Sequence, residues 1–367
     1  MDVKIYPSKL SGSVKAIPSK SVAHRALICE FLAGEIDTID CKVTSKDIEA
    51  TKACLAALKQ ESSILPCGES GSTYRFLIPI VAALGKKVEW KLKGRLPERP
   101  LLPLFEDLVR GKRLESGVFT IDAGVSSQFI SGLLFALPLL DGDSEIRLTG
   151  KLESKPYIDL TLDMLEKFGI KVEFKDDVFF ISKNQKYKSP GIIKVEGDWS
   201  NAAFWLAARV TVTGLDMKSK QGDRAIVDIL ANWSHEIDVS DIPDLVPILS
   251  VKAAAMNGTT TIYNAARLRI KESDRLTAVT QMLTALGVSV EEKPDSLVIH
   301  GGVKSTVQSP LSTVNCHNDH RIAMSAAVAA ATLCESPVII KDAQAVEKSY
   351  PHFFDDFREL GGKMEVV

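Results

Sequence analysis

Lys271-Glu272-Ser273-Asp274-Arg275, followed by the run Leu276 to Leu286 and then by Gly287-Val288-Ser289-Val290-Glu291, holds in one line the pattern that the whole chain repeats. Leu276, Val279, Met282, Leu283 and Leu286 fall at helical spacing, so the run reads as a helix with one buried face. Ser273 or Asp274 reads as its start, because a short side-chain oxygen there can accept a backbone N–H that the first turn leaves over. Gly287 reads as its stop and Val290-Glu291 as a strand. Upstream lies Arg267-Leu268-Arg269-Ile270. If this stretch is extended, Arg267, Arg269 and Lys271 share one face, with Leu268 and Ile270 on the other. The nine residues Arg267 to Arg275 therefore carry four cations and two carboxylates. Packing does not ask for that density. A solvated charged face explains it, and an anion held opposite it explains it as well.

The same order of parts recurs six times. A polar cluster opens a helix rich in Ala and Leu, a turn leads to a β-rich strand, and a second polar cluster opens a second helix. First helices begin near Lys20-Ser21, Ser70-Gly71-Ser72, Ser126-Ser127, Ser200-Asn201, Asp244 and Asn318-Asp319. Their strands are Ile36 to Ile39, Val88 to Leu92, Glu145 to Leu148, Leu215 to Lys218, Thr259 to Tyr263 and Pro337 to Lys341. Second helices begin near Ser45-Lys46-Asp47, Arg99-Pro100, Ser154-Lys155-Pro156, Gly222-Asp223, Lys271-Glu272-Ser273 and Glu347-Lys348-Ser349. Phe168-Gly169 before Val172-Glu173, and Leu360-Gly361 before Met364-Glu365, repeat the helix, glycine and strand ending of the opening stretch. Val178 to Ser182 and Leu297 to His300 read as returning hairpin strands. Units one and four look short. Three units precede Glu196-Gly197-Asp198 and three follow, so the domain boundary falls there. The fold class is α/β. Because polar clusters sit at helix N-termini, where unpaired N–H groups and partial positive charge attract anions, the pattern suggests an anion site built from several helix ends.

The bulk numbers narrow the options. A chain of 367 residues with 45% hydrophobic and 25% charged content suits two globular domains. A net charge of -2 speaks against a general nucleic-acid or membrane-surface role, so local basic clusters call for a local anion. Six cysteines without CxxC spacing read as buried free thiols in a reducing, cytoplasmic setting. Met1 to Leu10 has no signal-peptide core, and no apolar run approaches the roughly 20 residues of a membrane span.

The clusters differ in what they offer. Ser21 and Arg25 lie one helical turn apart behind Lys20, where an N-cap serine with a surface lysine is the plain alternative. Gly71 sits in a Gly/Ser loop, Cys67 to Arg75, that lets a phosphate or carboxylate approach the backbone; it lacks the P-loop lysine, and Arg75 follows one turn in. Arg99 precedes Pro100, a favoured first helical residue. Ser126, Ser127 and Gln128 offer more groups than a cap requires. Ser154-Lys155-Pro156-Tyr157 repeats the arrangement. Asp244 would be an ordinary N-cap in most proteins. His317 and His320 fall short of a zinc set, leaving Asp319 as a cap with Arg321 facing an anion. Lys348 is another cation placed before a helix.

Together, in this order, Ser19-Lys20-Ser21 with Arg25, Ser126-Ser127-Gln128-Phe129, Ser154-Lys155-Pro156-Tyr157-Ile158, Arg269 to Arg275 and Asn318-Asp319-His320-Arg321 resemble the 5-enolpyruvylshikimate-3-phosphate synthase family over essentially the whole chain. The resemblance implies two inside-out α/β domains, each of three βαβαββ repeats, with residues 1–13 plus 197–367 as one domain, 14–196 as the other and the active site in the cleft between them. It implies transfer of the enolpyruvyl group of phosphoenolpyruvate to shikimate 3-phosphate. Ser21, Arg25, Ser126, Ser127, Gln128, Ser154, Asp244 and Lys271 would bind shikimate 3-phosphate. Lys20, Gly71, Arg99, Gln128, Arg275, Arg321 and Lys348 would bind phosphoenolpyruvate. Asp244, Glu272 and Lys20 would be catalytic, with Arg75 and His320 in support. No metal or organic cofactor, nucleic acid or membrane is implied, and a monomer is expected.

The departures are specific: Ile17-Pro18-Ser19-Lys20 lacks the glycine usual after the proline, Ser72 stands where threonine is usual, and Arg267 replaces an asparagine of some members. Ser72, beside Gly71, bears on the shape of the phosphoenolpyruvate pocket. The rivals are the sister UDP-N-acetylglucosamine enolpyruvyl transferases, whose glycine-loop cysteine has only Cys67 as a counterpart, and a binding module that kept the fold without catalysis.

Overall fold

A computed structural model describes residues 1–35, 37–41, 44–302 and 312–367. The chain forms two compact units, Met1–Ile17 with Gly197–Val367, and Pro18–Glu196.

In the unit Pro18–Glu196 the helices are α1 (Lys20–Ala33), α2 (Lys46–Lys59), α3 (Gly71–Ala83), α4 (Pro103–Val109), α5 (Ser127–Ala136) and α6 (Lys155–Lys167). Their sequences sort them into layers. α1 buries every residue from Val22 to Glu30, and α3 and α5 are buried almost throughout, as helices apolar all round must be. The sheets lie outside them. One has four strands in the order Val118–Asp122, Ser144–Thr149, Val178–Ile181, Val172–Lys175, with Phe119 opposite Ile146 in the parallel pair and Ile146 opposite Phe179 in the antiparallel one. Two parallel pairs complete the unit: Ile64–Gly68 with Glu89–Leu92, and Ile39–Asp40 with Ile193–Lys194.

The other unit contains α7 (Trp199–Ala207), α8 (Ile226–Ala231), α9 (Val246–Ala255), α10 (Arg275–Ala285), α11 (His320–Thr332) and α12 (Phe353–Glu359). Here α7, α9 and α11 are the buried set; α11 buries every residue from His320 to Ala331. One sheet runs Glu236–Asp238, Gly258–Tyr263, Leu297–Gly301, Ser289–Glu292. A second runs Ser312–Asn315, Val338–Lys341, Val3–Tyr6, Lys363–Val366, so the first strand of the chain is the third strand of this sheet. Ser13–Lys15 pairs in parallel with Thr211–Thr213, which ties residues 14–17 to this unit and moves the boundary from the expected position 14 to Pro18.

Among the described residues, repeats three, five and six therefore carry four strands and the other three carry two. Repeat two is as short as repeats one and four, which its sequence did not suggest. Other local expectations also shift. Leu215 to Lys218 is no strand; the strand is Thr211–Thr213, ended by left-handed Gly214 (φ 79°) and by Asp216, whose side chain accepts the Lys218 N–H at 2.8 Å. α4 begins at Pro103 rather than at Arg99-Pro100, and α12 begins at Phe353, so Lys348 instead ends a 3-10 helix, Ala343–Lys348. Residues 266–270 form a 3-10 helix and not an extended strand. Of the expected strand Ile36 to Ile39, Ile39 pairs with Ile193, while Ile36 lies outside the described residues.

Candidate active site

Asp274 accepts the Thr277 N–H at 3.2 Å and so caps α10, making Arg275 its first residue. Arg275 is 1% exposed, and its guanidinium is shared among three carboxylates: Nε to Asp319 Oδ2 at 2.8 Å, Nη1 to Asp244 Oδ1 at 2.8 Å, and Nη2 to Glu272 Oε2 at 2.6 Å. Arg321, at the start of α11, reaches the other oxygen of Asp244 at 3.1 Å, and Lys271 Nζ lies 3.8 Å from Oδ1. Asp319 accepts both the Arg321 N–H (3.0 Å) and the Ser273 hydroxyl (2.9 Å), which locks the start of α11 against the approach to α10. Lys348 donates to the Asn318 carbonyl at 2.6 Å, and His320 is buried with Nδ1 4.0 Å from Asp319 Oδ1.

Asp244 thus departs from the plain capping reading. It lies in a 3-10 turn, Pro243–Leu245, and caps no helix through its side chain; both of its oxygens go to guanidinium groups. Burial pushes its carboxyl up, but Arg321, Lys271 and Arg275 outweigh burial and hold it well below the usual carboxylate range. Burial draws Lys271 down to about 8 against the pull of Asp244. Burial likewise opposes the charge of Arg275, yet Asp319, Glu272 and Asp244 raise it above its ordinary value. The opening cluster does not present one cationic face. In the 3-10 helix Arg267 turns to the Ser240 carbonyl, while Arg269 is held by Glu292 at 2.8 Å and Asp274 at 3.0 Å.

In the unit Pro18–Glu196 the cations also have named partners. Lys20 Nζ meets Asp47 Oδ2 at 2.8 Å. Arg25 donates to Thr161 Oγ1 (2.8 Å), to the Ser21 carbonyl (2.7 Å) and to the Tyr157 carbonyl (2.7 Å), and stacks over Phe76. Burial lowers its pKa to about 10, still well above neutrality. Arg75 donates to Gln128 Oε1 at 2.9 Å and to the Pro100 carbonyl, and Gln128 Nε2 donates to Ser72 Oγ at 3.0 Å. Ser126 caps α5 through the Gln128 N–H, with Ser127 as the first helical residue. Ser154, left-handed at φ 55°, precedes α6 and makes no side-chain cap. Gly71 matters for want of a side chain: a Cβ there would lie 2.6 Å from Arg99 Nη1, so the guanidinium rests against the first turn of α3. His24 is buried, donates to or accepts from Thr51 at 2.7 Å, and is held neutral by burial, Lys20 and Arg25.

The model of the EPSP synthase (3-phosphoshikimate 1-carboxyvinyltransferase) family matches residues 5–64, 58–237 and 233–357. The chain belongs to this family. The 3-phosphoshikimate 1-carboxyvinyltransferase of Clostridium kluyveri is 43% identical over 424 positions, covering 99% of this chain and 98% of its own; that of Clostridioides difficile is 40% identical over 435 positions, covering 99% and 98%. Those spans exceed the 367 residues here, so the relatives carry segments that this family member lacks. The solved EPSP synthase from Acinetobacter baumannii superposes with a TM-score of 0.78 at 21% identity, covering 100% of this chain and 99% of its own. The enolpyruvyl transferase NikO from Streptomyces tendae gives 0.72 at 15%, covering 99% and 98%. At these identities the two structures speak to the fold alone.

Several members of the two clusters were not singled out in the sequence as site residues. The sequence marks Asp47 only as part of a helix start and Asp319 only as a cap, and it does not mark Thr161. The sequence marks Asp223 only as a helix opening, yet it is 3% exposed, accepts the Ser200 hydroxyl through one oxygen and has no hydrogen bond at the other. A usable signal existed for Asp319, since it directly precedes His320-Arg321 at a helix start. Thr161 had none, being one of several small polar residues within a helix.

Proposed function

We propose that this chain catalyses transfer of the enolpyruvyl group from phosphoenolpyruvate to the 5-hydroxyl of shikimate 3-phosphate, the step its family name describes, on the route to chorismate and the aromatic amino acids. The observation that carries this reading is the convergence of two carboxylates, Asp244 and Glu272, on the buried Arg275, with Arg321 and Lys271 on Asp244. A module that only bound an anion would be weakened by two such carboxylates; acid and base chemistry requires them.

In the proposed reaction the 5-hydroxyl oxygen bonds to C2 of phosphoenolpyruvate, the hydroxyl proton leaves to a base, and C3 gains a proton. The tetrahedral intermediate then loses phosphate as the C2–O bond to it breaks, and C3 returns its proton to leave the enol ether. No electron is exchanged with a third reactant, so the balance calls for no redox cofactor. Glu272 handles the C3 proton, while Asp244, with Lys20, takes the hydroxyl proton. Ser21, Arg25, Ser126, Ser127, Gln128, Ser154 and Lys271 hold shikimate 3-phosphate. Gly71, Arg99, Arg275, Arg321 and Lys348 hold phosphoenolpyruvate, where guanidinium forks suit phosphate and carboxylate. Arg75, bonded to Gln128, and His320, beside Asp319, support them.

With its cations in place Asp244 is a poor base. An arriving phosphate or carboxylate competes for Arg321, Arg275 and Lys271, and every cation drawn off Asp244 raises its affinity for a proton. Substrate binding thereby readies the base. The assignment includes a monomer acting in the cytoplasm. Among the described residues no helix is long and apolar enough to cross a membrane.

The test is release of inorganic phosphate from phosphoenolpyruvate with and without shikimate 3-phosphate, beside Glu272→Gln. Release should need both substrates and fall by about 100-fold or more in the variant, the scale of a lost acid–base group. Binding of shikimate 3-phosphate without release would leave a binding module, and transfer only to a nucleotide sugar would give the sister activity.

A further inference from the structure

At the C-terminal ends of α7, α9 and α11 a cavity of about 690 Å³ opens in the unit Met1–Ile17 with Gly197–Val367. Its size is that of a small-molecule site. The N-terminal ends of the same helices carry Asp198, the Asp244 turn and Asp319-His320-Arg321. α11 has 13 residues, so the cavity lies about 20 Å from the carboxylate and guanidinium cluster.

Leu10, Val251, Val328 and Leu333 contribute apolar surface to its lining, and Lys9, Arg209 and Lys252 contribute three cations. No Asp or Glu is among the lining residues. Among the described residues none of the three cations has an ion-pair partner. Lys252 is half-buried, and its burial first and the nearby charge of Arg209 second lower its proton affinity.

Helix dipoles account for part of this charge. Three helix C-termini offer roughly -1.5 in partial charge, at about -0.5 each. Three side chains supply a formal charge of +3, which leaves an excess sufficient for one anion.

Arg209 adds a second, independent sign. α7 ends with the Val210 N–H bonded to the Trp205 carbonyl (2.9 Å) and the Arg209 N–H to the Leu206 carbonyl (3.0 Å), which puts Arg209 in the left-handed position of a Schellman cap at φ 62°. Glycine takes that conformation without strain and arginine does not. The backbone therefore gains nothing from arginine here, and the side chain at the cavity is what the residue contributes.

From the cavity, its apolar walls and its unopposed cations, we infer that this pocket binds a small amphipathic anion, a carboxylate carrying an apolar body, at a site separate from the carboxylate and guanidinium cluster. The carboxylate meets Arg209 and Lys252, and the apolar body lies on Leu10, Val251, Val328 and Leu333.

Titration calorimetry with octanoate tests this on the full chain, with Arg209→Gly and Lys252→Gln as variants and inorganic phosphate as a competitor. The glycine variant relieves the strained cap, so its melting temperature should match or exceed that of the wild type; the glutamine variant serves if it does not. One octanoate should bind per chain, at least tenfold more weakly in each variant, with phosphate failing to displace it. Equal affinity in wild type and variants, or no saturable binding, would overturn the site. Displacement by phosphate at similar concentration would overturn the role of the apolar walls.

Discussion

Asp223 is a carboxyl that the fold holds against its ordinary preference. Burial and the charge of Asp244 raise its pKa to about 7, while Arg321 and the Ser200 hydrogen bond pull the other way. Between the ordinary value of 3.8 and about 7 the folded chain keeps a proton that the unfolded chain has released. Stability from this group therefore falls as pH rises through that window and is constant above it. Asn keeps the shape and a hydrogen bond to Ser200 without a charge to bury. Asp223→Asn should melt a few degrees above the wild type at pH 8, with the gap closing toward pH 4. Thermal melts across that range check it, and a variant that melts lower at pH 8 would show that ionised Asp223 holds its surroundings in place.

The α3–α5 contact shows what sequence could and could not give at the scale of elements. Pro79 lies within α3 and has no N–H for the Arg75 carbonyl four residues earlier. Gly132 of α5 fills that spot: a Cβ there would lie 2.6 Å from the Arg75 oxygen and 3.1 Å from the Pro79 ring. Alanine in a free helix gains about 1 kcal/mol over glycine, but forcing a methyl into a closed contact costs about 1–3 kcal/mol. Since the obstacle is backbone, Gly132→Ala should lower the urea midpoint; a raised midpoint would mean that α3 and α5 can part without loss. Helix starts such as Lys20, Ser127 and Lys155 were legible because each is a local signal, a polar residue or proline ahead of an apolar run. Gly132 was not, because nothing near it in sequence records Pro79. The Asp244, Glu272 and Arg275 set was legible by type, but the fanning of Arg267 and Arg269 depends on a 3-10 turn that alternating charge and apolarity disguised as a strand.

At the scale of the molecule the least legible feature is which strand joins which sheet. Ser13–Lys15 precedes α1 yet pairs with Thr211–Thr213, and Ile193–Lys194 precedes α7 yet pairs with Ile39–Asp40. Hydrophobic pattern marks a strand but not its neighbour. The exchange makes the two units unequal as fragments. Pro18–Glu196 contains both partners of every strand pair in it and its own apolar core, so it should fold alone, with a cooperative melt and native helix content. Gly197–Val367 lacks Val3–Tyr6, which sits between Val338–Lys341 and Lys363–Val366, and leaving it out splits that sheet and exposes two edges. That fragment should fail to melt cooperatively. Because the Val367 N–H donates to the Asp2 carbonyl at 3.1 Å, the chain ends are adjacent, and joining Met1–Ile17 behind Val367 through a short flexible linker should restore the fold. Circular dichroism melts of the three fragments decide it. If Gly197–Val367 melts cooperatively without the added segment, the N-terminal strand is an accessory to that sheet; if the permuted fragment stays unfolded, this unit depends on more than its own strands.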